Sequence, residues 1–359
     1  MKILRNIATI LFLMGLWGCI KSEITPAPDK SVTYRVAEAK AKTKAGEVSF
    51  LGEFADPADA AFSSMGFLHG QGVSGVQSFY GGVETISWDG SDRWAPSAVY
   101  YWPKGSESYV NFISWYDKLG TPDVASITET TLSWSNRTIA AGDNIMVADM
   151  AWRYNANDSV YHIDDAGVVG VPTLFHHMLT RVCFHAKPAR LSDSGTTWTV
   201  TIINFTLKNV HENGSLSLRN ADPSDTETVA WTATDGVSAP AWTVGSTTTS
   251  VSGNASTALT TLTGEDVLTM RSFLPQSLGI MAINFDYKIR TTYDADNYME
   301  ETANSGDIRL SAFNSTVAEW GMNRQITYNI TIDPQARVIE IDPYSTAWTT
   351  QPSQAIAIE

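Results

Sequence analysis

Few side chains in this sequence stand where they could do chemistry together. His176 and His177 are adjacent, and paired imidazoles are a natural start for a metal site. Neighbours in a strand point to opposite faces, so one ion cannot readily take both. The spacings H-E-x-x-H, C-x-x-C and G-x-S-x-G, which place a zinc ion, a redox pair or a serine nucleophile, do not occur. Asp294-Ala295-Asp296-Asn297 opens like a calcium loop, yet Met299 stands where the sharp turn needs glycine and the closing Glu is missing. A solvated acidic loop is the better reading. Gly70-Gln71-Gly72-Val73-Ser74-Gly75 spells G-x-G-x-x-G, which cradles pyrophosphate only where a helix opens at its end. Here Ser78-Phe79-Tyr80 and then Gly81-Gly82 follow, which open no helix, so the stretch reads as a loop. Cys183, inside Val182-Cys183-Phe184, reads as a small buried hydrophobe. The expectation is a non-enzyme with no catalytic residue, no metal and no cofactor.

Composition narrows the remaining classes. Among 359 residues, 24 Lys and Arg face 38 Asp and Glu, for a net charge of −14. Phosphate binding draws its affinity from clustered cations, so nucleic acid is not an expected partner. Hydrophobic residues make up 43% and charged residues only 17%, which excludes a disordered acidic chain. Two cysteines cannot build a disulfide framework. The length allows two domains, and 11% aromatic residues can fill two cores.

The elements that would carry those cores alternate with a period of two. Met281, Ile283, Phe285, Tyr287 and Ile289 alternate with Ala282, Asn284, Asp286 and Lys288, the pattern of a half-buried strand. Ile326, Tyr328, Ile330 and Ile332 repeat it. Val200 and Ile202 are followed by Ile203, Phe205 and Leu207; this one-residue slip predicts a β-bulge near Asn204. Helical periodicity is nearly absent, and no sequence repeat at a fixed period is found. Such strands without helices between them predict antiparallel sandwiches. A polar stretch from Arg153 to Gly170 places a domain boundary near residue 168. Ala221 to Thr261, rich in Ser and Thr, predicts a hairpin or exposed loops within the second domain.

The N-terminus reads as an export signal. Basic Met1 to Arg5 precede an apolar run from Ile7 to Trp17, the length of a signal-peptide core and too short to span a bilayer. It closes on Leu16-Trp17-Gly18-Cys19, which resembles the bacterial lipobox, where diacylglycerol is attached to the cysteine. Residues 20–30 would tether that lipid to the first strand.

Several segments together resemble the fimbrillin family of Bacteroidetes lipoproteins, subunits of type V pili. They are Tyr100-Tyr101-Trp102-Pro103 with Val110 to Tyr116, Asp143 to Ala148, Val171 to Phe184, Phe273-Leu274-Pro275-Gln276 with Ile280 to Phe285, Trp320 to Arg324 with Ile326 to Ile332, and Trp348. The resemblance implies two tandem transthyretin-like β-sandwich domains in an all-β chain. The segments are then 1–18 (signal peptide), 19–45 (lipidated tether and removable first strand), 46–168 and 169–359 (the two sandwiches). It also implies an outer-membrane or cell-surface fimbrium, with other fimbrial subunits, self or homologous, as partners and an acyl lipid on Cys19. A protease would cut off the first strand, and a C-terminal strand of a neighbour would fill the groove by β-augmentation.

Ser31 to Ala39 alternates as a first strand should, with Val32, Tyr34 and Val36 on one face. Lys40 and Lys44 follow in an exposed basic stretch open to cleavage. The family pattern leads one to expect Arg where Lys44 stands, and the one nearby arginine, Arg35, lies inside the strand. An unprocessed anchor or tip role therefore stays in view. The donor strand would lie near 336–359, with Val338, Ile339 and Ile341, or Ile356 and Ile358, as plugs; the alternative is that both segments belong to their own sandwich. Asp158-Ser159-Val160 is similar to Bacteroidetes O-glycosylation sites. A second functional reading is a monomeric surface lipoprotein that binds glycans through exposed Trp residues such as Trp231 and Trp242, and a host glycan or protein ligand is a further candidate partner.

The lipid supplies the membrane affinity in this reading. Cys19→Ala should therefore abolish palmitate labelling and leave the chain soluble in the periplasm or uncleaved. Labelling that persists in the variant would overturn the assignment.

Overall fold

The computed structural model describes residues 31–38, 61–70, 75–88, 94–103, 107–117, 124–140, 142–154, 170–190, 192–219, 228–234, 242–243, 249–252 and 265–348. Almost all of the regular structure in them is strand. The first half carries β1 (Tyr34–Glu38), β2 (Ala61–His69), β3 (Gln77–Ser78), β4 (Glu84–Trp88), β5 (Trp94–Pro96) and β6 (Tyr109–Asp117). It continues with β7 (Val124–Thr128), β8 (Thr131–Thr138), β9 (Ile145–Ala148), β10 (Ala151–Tyr154) and β11 (Val171–His177). The second half carries β12 (Thr180–Pro188), β13 (Ser192–Asp193), β14 (Thr196–Lys208), β15 (Asn213–Arg219), β16 (Thr228–Ala233), β17 (Trp242–Thr243) and β18 (Thr249–Ser252). It ends with β19 (Glu265–Phe273), β20 (Gln276–Ser277), β21 (Ala282–Thr292), β22 (Tyr298–Asn304), β23 (Ile308–Arg309), β24 (Glu319–Trp320), β25 (Arg324–Asp333) and β26 (Val338–Ala347).

In the first half, hydrogen bonding runs in the order β10-β6-β9-β11-β1-β5-β4-β2-β3, and β6 pairs with β2 as well. That extra pairing closes the sandwich on itself, so seven strands from β6 round to β2 form a ring with no free edge. Closure is what removes exposed strand edges in an all-β fold. Tyr34, Phe62, Ile86, Trp94, Phe112 and Phe175 fill the interior. β6 is buried on both faces: Val110 and Phe112 point inward, whereas Ile113 and Trp115 point into another core. Its apolar run Tyr109-Val-Asn-Phe-Ile-Ser-Trp-Tyr is what a doubly covered strand requires.

In the second half, the sheet β19-β12-β25-β26 packs its inner face against β14 and β21. The predicted alternation is realised. Ile326, Tyr328, Ile330 and Ile332 are fully buried and meet Ile283, Phe285, Val200 and Ile202. Phe184 stacks on Tyr328 at 4.8 Å. The bulge is where the phase slip placed it: the β14–β21 register shifts between Ile203 and Thr206, and exposed Asn204 takes φ +52°. Asn is among the few residues that tolerate that left-handed conformation. The inward set resumes at Phe205 and Leu207, with Ile203 only half-buried.

Two features depart from expectation. The sheets are mixed, because β1 runs parallel to β11 and β12 runs parallel to β25. Such pairs need long connections, which periodicity does not reveal. β11, expected to open the second sandwich, is instead hydrogen-bonded to β9 and β1 in the first ring. The change of sheet comes between His177 and Thr180. Strand alternation alone does not say which sheet a strand joins.

The halves are also stitched together. The hairpin β7–β8 and the hairpin β15–β16 form one four-stranded sheet through the β8–β15 ladder. Beneath it Trp115, Leu132 and Trp134 pack with Leu216, Leu218, Leu274 and Trp348. Beside this third core, Arg137 forms a 3.1 Å ion pair with Asp117, both side chains almost wholly buried.

Candidate functional site

The first strand sits as one stave of the closed ring. On one side β1 pairs in parallel with β11 over five positions, Tyr34 opposite Val171 through Glu38 opposite Phe175. On the other side the contact is thin: Tyr34 opposite Trp94, the Ser31–Tyr101 bridge, and the Val32 amide donating to the Tyr100 carbonyl at 2.8 Å. The seam with β11 is close at its start. Gly170, at φ +134°, approaches so near that a Cβ there would lie 3.0 Å from the Tyr34 carbonyl carbon and 3.1 Å from the Thr33 oxygen. Only glycine meets both demands.

The inner face of the segment plugs the ring. Val32, Tyr34 and Val36 are buried, as the alternation predicted. The Tyr34 ring sits edge-on to Phe62 at 5.6 Å and to Phe112 at 5.7 Å. Its hydroxyl reaches a polar relay that crosses the core. Ser114 donates to Ser64 Oγ at 2.9 Å, and Ser64 donates to the Ile113 carbonyl at 3.3 Å. With the Ser64 proton so used, Tyr34 donates to Ser64 at 3.0 Å and accepts from the Tyr80 hydroxyl at 2.5 Å. Burial raises both phenol pKa values far above the ordinary value, so both protons stay in place. No sequence pattern marked this relay, because the burial of Ser64 and Ser114 is visible only in the structure.

The end of the described residues is pinned beside the same ring. β26 pairs with β25 over all ten of its residues, Val338 opposite Asp333 through Ala347 opposite Arg324. It is the outermost strand of its sheet among the described residues. Ile339 and Ile341 pack against the second-half core, while Val338 is 48% exposed. At its end the Trp348 amide donates to the Asn323 carbonyl. The Trp348 ring stacks on His177 at 4.3 Å, and the Arg181 guanidinium lies 4.5 Å from its centre. His176 and His177 face opposite ways, as predicted. His176 pairs with Asp149 at the surface, and buried His177 shares a 2.7 Å hydrogen bond with Asn144 Oδ1. That oxygen can only accept, so His177 Nδ1 holds the proton.

Of the other sequence-derived sites, Arg35 lies in β1 opposite Pro172. Cys19, Lys40, Lys44, Ile356, Ile358 and Asp158-Ser159-Val160 lie outside the described residues, as does the boundary near 168. Trp231 is not a free sugar platform: it is half-buried and its indole donates to the Met178 carbonyl at 2.6 Å. No group of three metal-ligating side chains occurs among the described residues.

Fold and site together define an all-β protein whose N-terminal strand completes a ring that the remaining strands leave open. The chain belongs to the fimbrillin-like family, whose model matches residues 69–348. No curated protein sequence matches it. Among solved structures it is similar to a fimbrial protein from Bacteroides vulgatus, at 14% identity and TM-score 0.56 over 89% of this chain and all of that one. The tip fimbrial protein Mfa3 of Porphyromonas gingivalis, C-terminally truncated, aligns at 11% identity and TM-score 0.37 over 89% of this chain and all of that one.

His177 supplies a pH test of the Trp348 pin. Burial, then Arg181 and His176, pull its pKa from 6.5 down to about 3. The unfolded chain thus binds the proton more readily. The stability this contributes is fully present above about pH 6.5 and is lost on acidification towards pH 3, by up to about 1.4 kcal/mol per pH unit. Urea midpoints between pH 7 and 4 should fall less steeply in His177→Gln than in wild type. Equal slopes would contradict the assignment.

Proposed function

We propose that this chain is a cell-surface fimbrial subunit that supports adhesion, anchored first as a lipoprotein through Cys19 and assembled by strand exchange. The observation that carries the reading is the seating of β1: a separate stave with an apolar face, well paired on one side and barely paired on the other. Family membership supports the same conclusion. Cleavage in the Lys40–Lys44 stretch would cut the chain between β1 and β2, the strands that flank it among the described residues. Arg35 is a poor processing site by comparison, because its backbone is already committed to the ladder.

Loss of β1 would expose two unpaired strand edges and an apolar groove, a state poorly tolerated in water. A strand from another subunit then has both main-chain partners and side-chain pockets waiting. Of the two donor candidates within this chain, the later one fits better. Val338, Ile339 and Ile341 belong to a fully zipped strand, and Ile339 and Ile341 pack on their own core, so donating them would open the second sandwich. Ile356 and Ile358 follow Trp348, where the chain leaves that strand. Residues 349–359 could reach about 36 Å if extended, more than the groove's length.

Limited digestion with a lysine-specific protease should make the first strand exchangeable. The cut protein should take up an isotopically labelled Ser31–Lys40 peptide, read by native mass spectrometry, while the uncut protein takes up none. A cut protein that keeps its own strand and admits no peptide would contradict the reading.

A further inference from the structure

The relay at the bottom of the groove has a consequence for partner choice, and it rests on the strand-exchange reading. We propose that the groove is keyed for a strand bearing tyrosine at the Tyr34 position between two apolar residues, and so takes its donor from a different subunit rather than from a second copy of this chain.

The key is the phenol hydroxyl. Tyr34 satisfies Tyr80 and Ser64 at once, at 2.5 and 3.0 Å, in a site where Ser64 is fully buried. A donor lacking that hydroxyl would leave the half-buried Tyr80 hydroxyl without its acceptor and one lone pair of fully buried Ser64 unfilled. Stranded buried polar groups weaken an association by about ten- to a hundredfold. The ring is equally specified, because Phe62 and Phe112 both meet it edge-on. Val32 and Val36 then set the flanks, giving the pattern Val-x-Tyr-x-Val.

The donor segment read from this sequence does not offer the pattern. Residues 349–359, Thr-Thr-Gln-Pro-Ser-Gln-Ala-Ile-Ala-Ile-Glu, contain no aromatic residue. Tyr344 is flanked at the matching spacing by Asp342 and Thr346, with Pro343 beside it. An Ile in the Tyr34 pocket would leave a void, the Tyr80 hydroxyl without its acceptor and Ser64 with only Ser114 and Ile113 as partners. Self-pairing is therefore the mismatched case, and a subunit whose tail carries an apolar-x-Tyr-x-apolar strand is the matched one.

The test uses the full chain cut by a lysine-specific protease and three synthetic peptides. One is Ser31–Lys40, one is the same peptide with Tyr34→Phe, and one is residues 349–359. Their affinities are read by competition against fluorescent Ser31–Lys40. The tyrosine peptide should bind at least tenfold more tightly than either of the others. In a Ser64→Ala acceptor the tyrosine-to-phenylalanine preference should shrink. Equal binding of all three, or a preference unchanged by Ser64→Ala, would overturn the key while leaving strand exchange standing. Entry of none of the three would overturn both.

Discussion

Closure of the first ring is the constraint on which the other features depend. Seven strands pair round to their own beginning only while β1 holds the gap between β11 and β5. Without it, two rows of backbone donors and acceptors face water, and the inner ends of Phe62, Trp94 and Phe112 lose their cover. Because β1 sits beside the C-terminal end of the half rather than next to its sequence neighbour β2, it is held by contacts and not by a tight turn. The strand-exchange proposal rests on that arrangement.

The rest of the molecule supplies a rigid frame around that element. β11, the main partner of β1, ends at His177, which stacks on Trp348 at the end of β26. The sheet made of β7, β8, β15 and β16 and the core beneath it bind the two halves together. The groove's seam and the exit of the C-terminal segment are therefore parts of one packed unit. A subunit that receives at one site and donates from another gains from such stiffness, since slack between them would dilute the effective concentration of the donated strand.

Much of this was legible beforehand because it depends on alternation. The buried faces of β21 and β25, the bulge at Asn204, the inward set Val32, Tyr34 and Val36, and the divergence of His176 from His177 all follow from a period of two. What alternation does not encode is which strands become neighbours. Hence the parallel pairing of β1, the placement of β11 in the first ring and the shared sheet between the halves came only with the structure. The relay of Tyr34, Ser64, Ser114 and Tyr80 was hidden for the same reason. Its hydrogen-bonded pairs are 30, 46 and 50 residues apart, and a serine in a strand looks alike whether it faces water or a phenol.

The central claim is that another chain takes the place of β1. The most direct measurement is a high-resolution structure of fimbriae purified from the cell surface and containing this subunit. The account predicts a strand between β11 and β5 that belongs to a neighbouring subunit, with a tyrosine hydroxyl within hydrogen-bonding distance of Ser64. A ring still closed by residues 31–38 of its own chain, with subunits joined elsewhere, would contradict it.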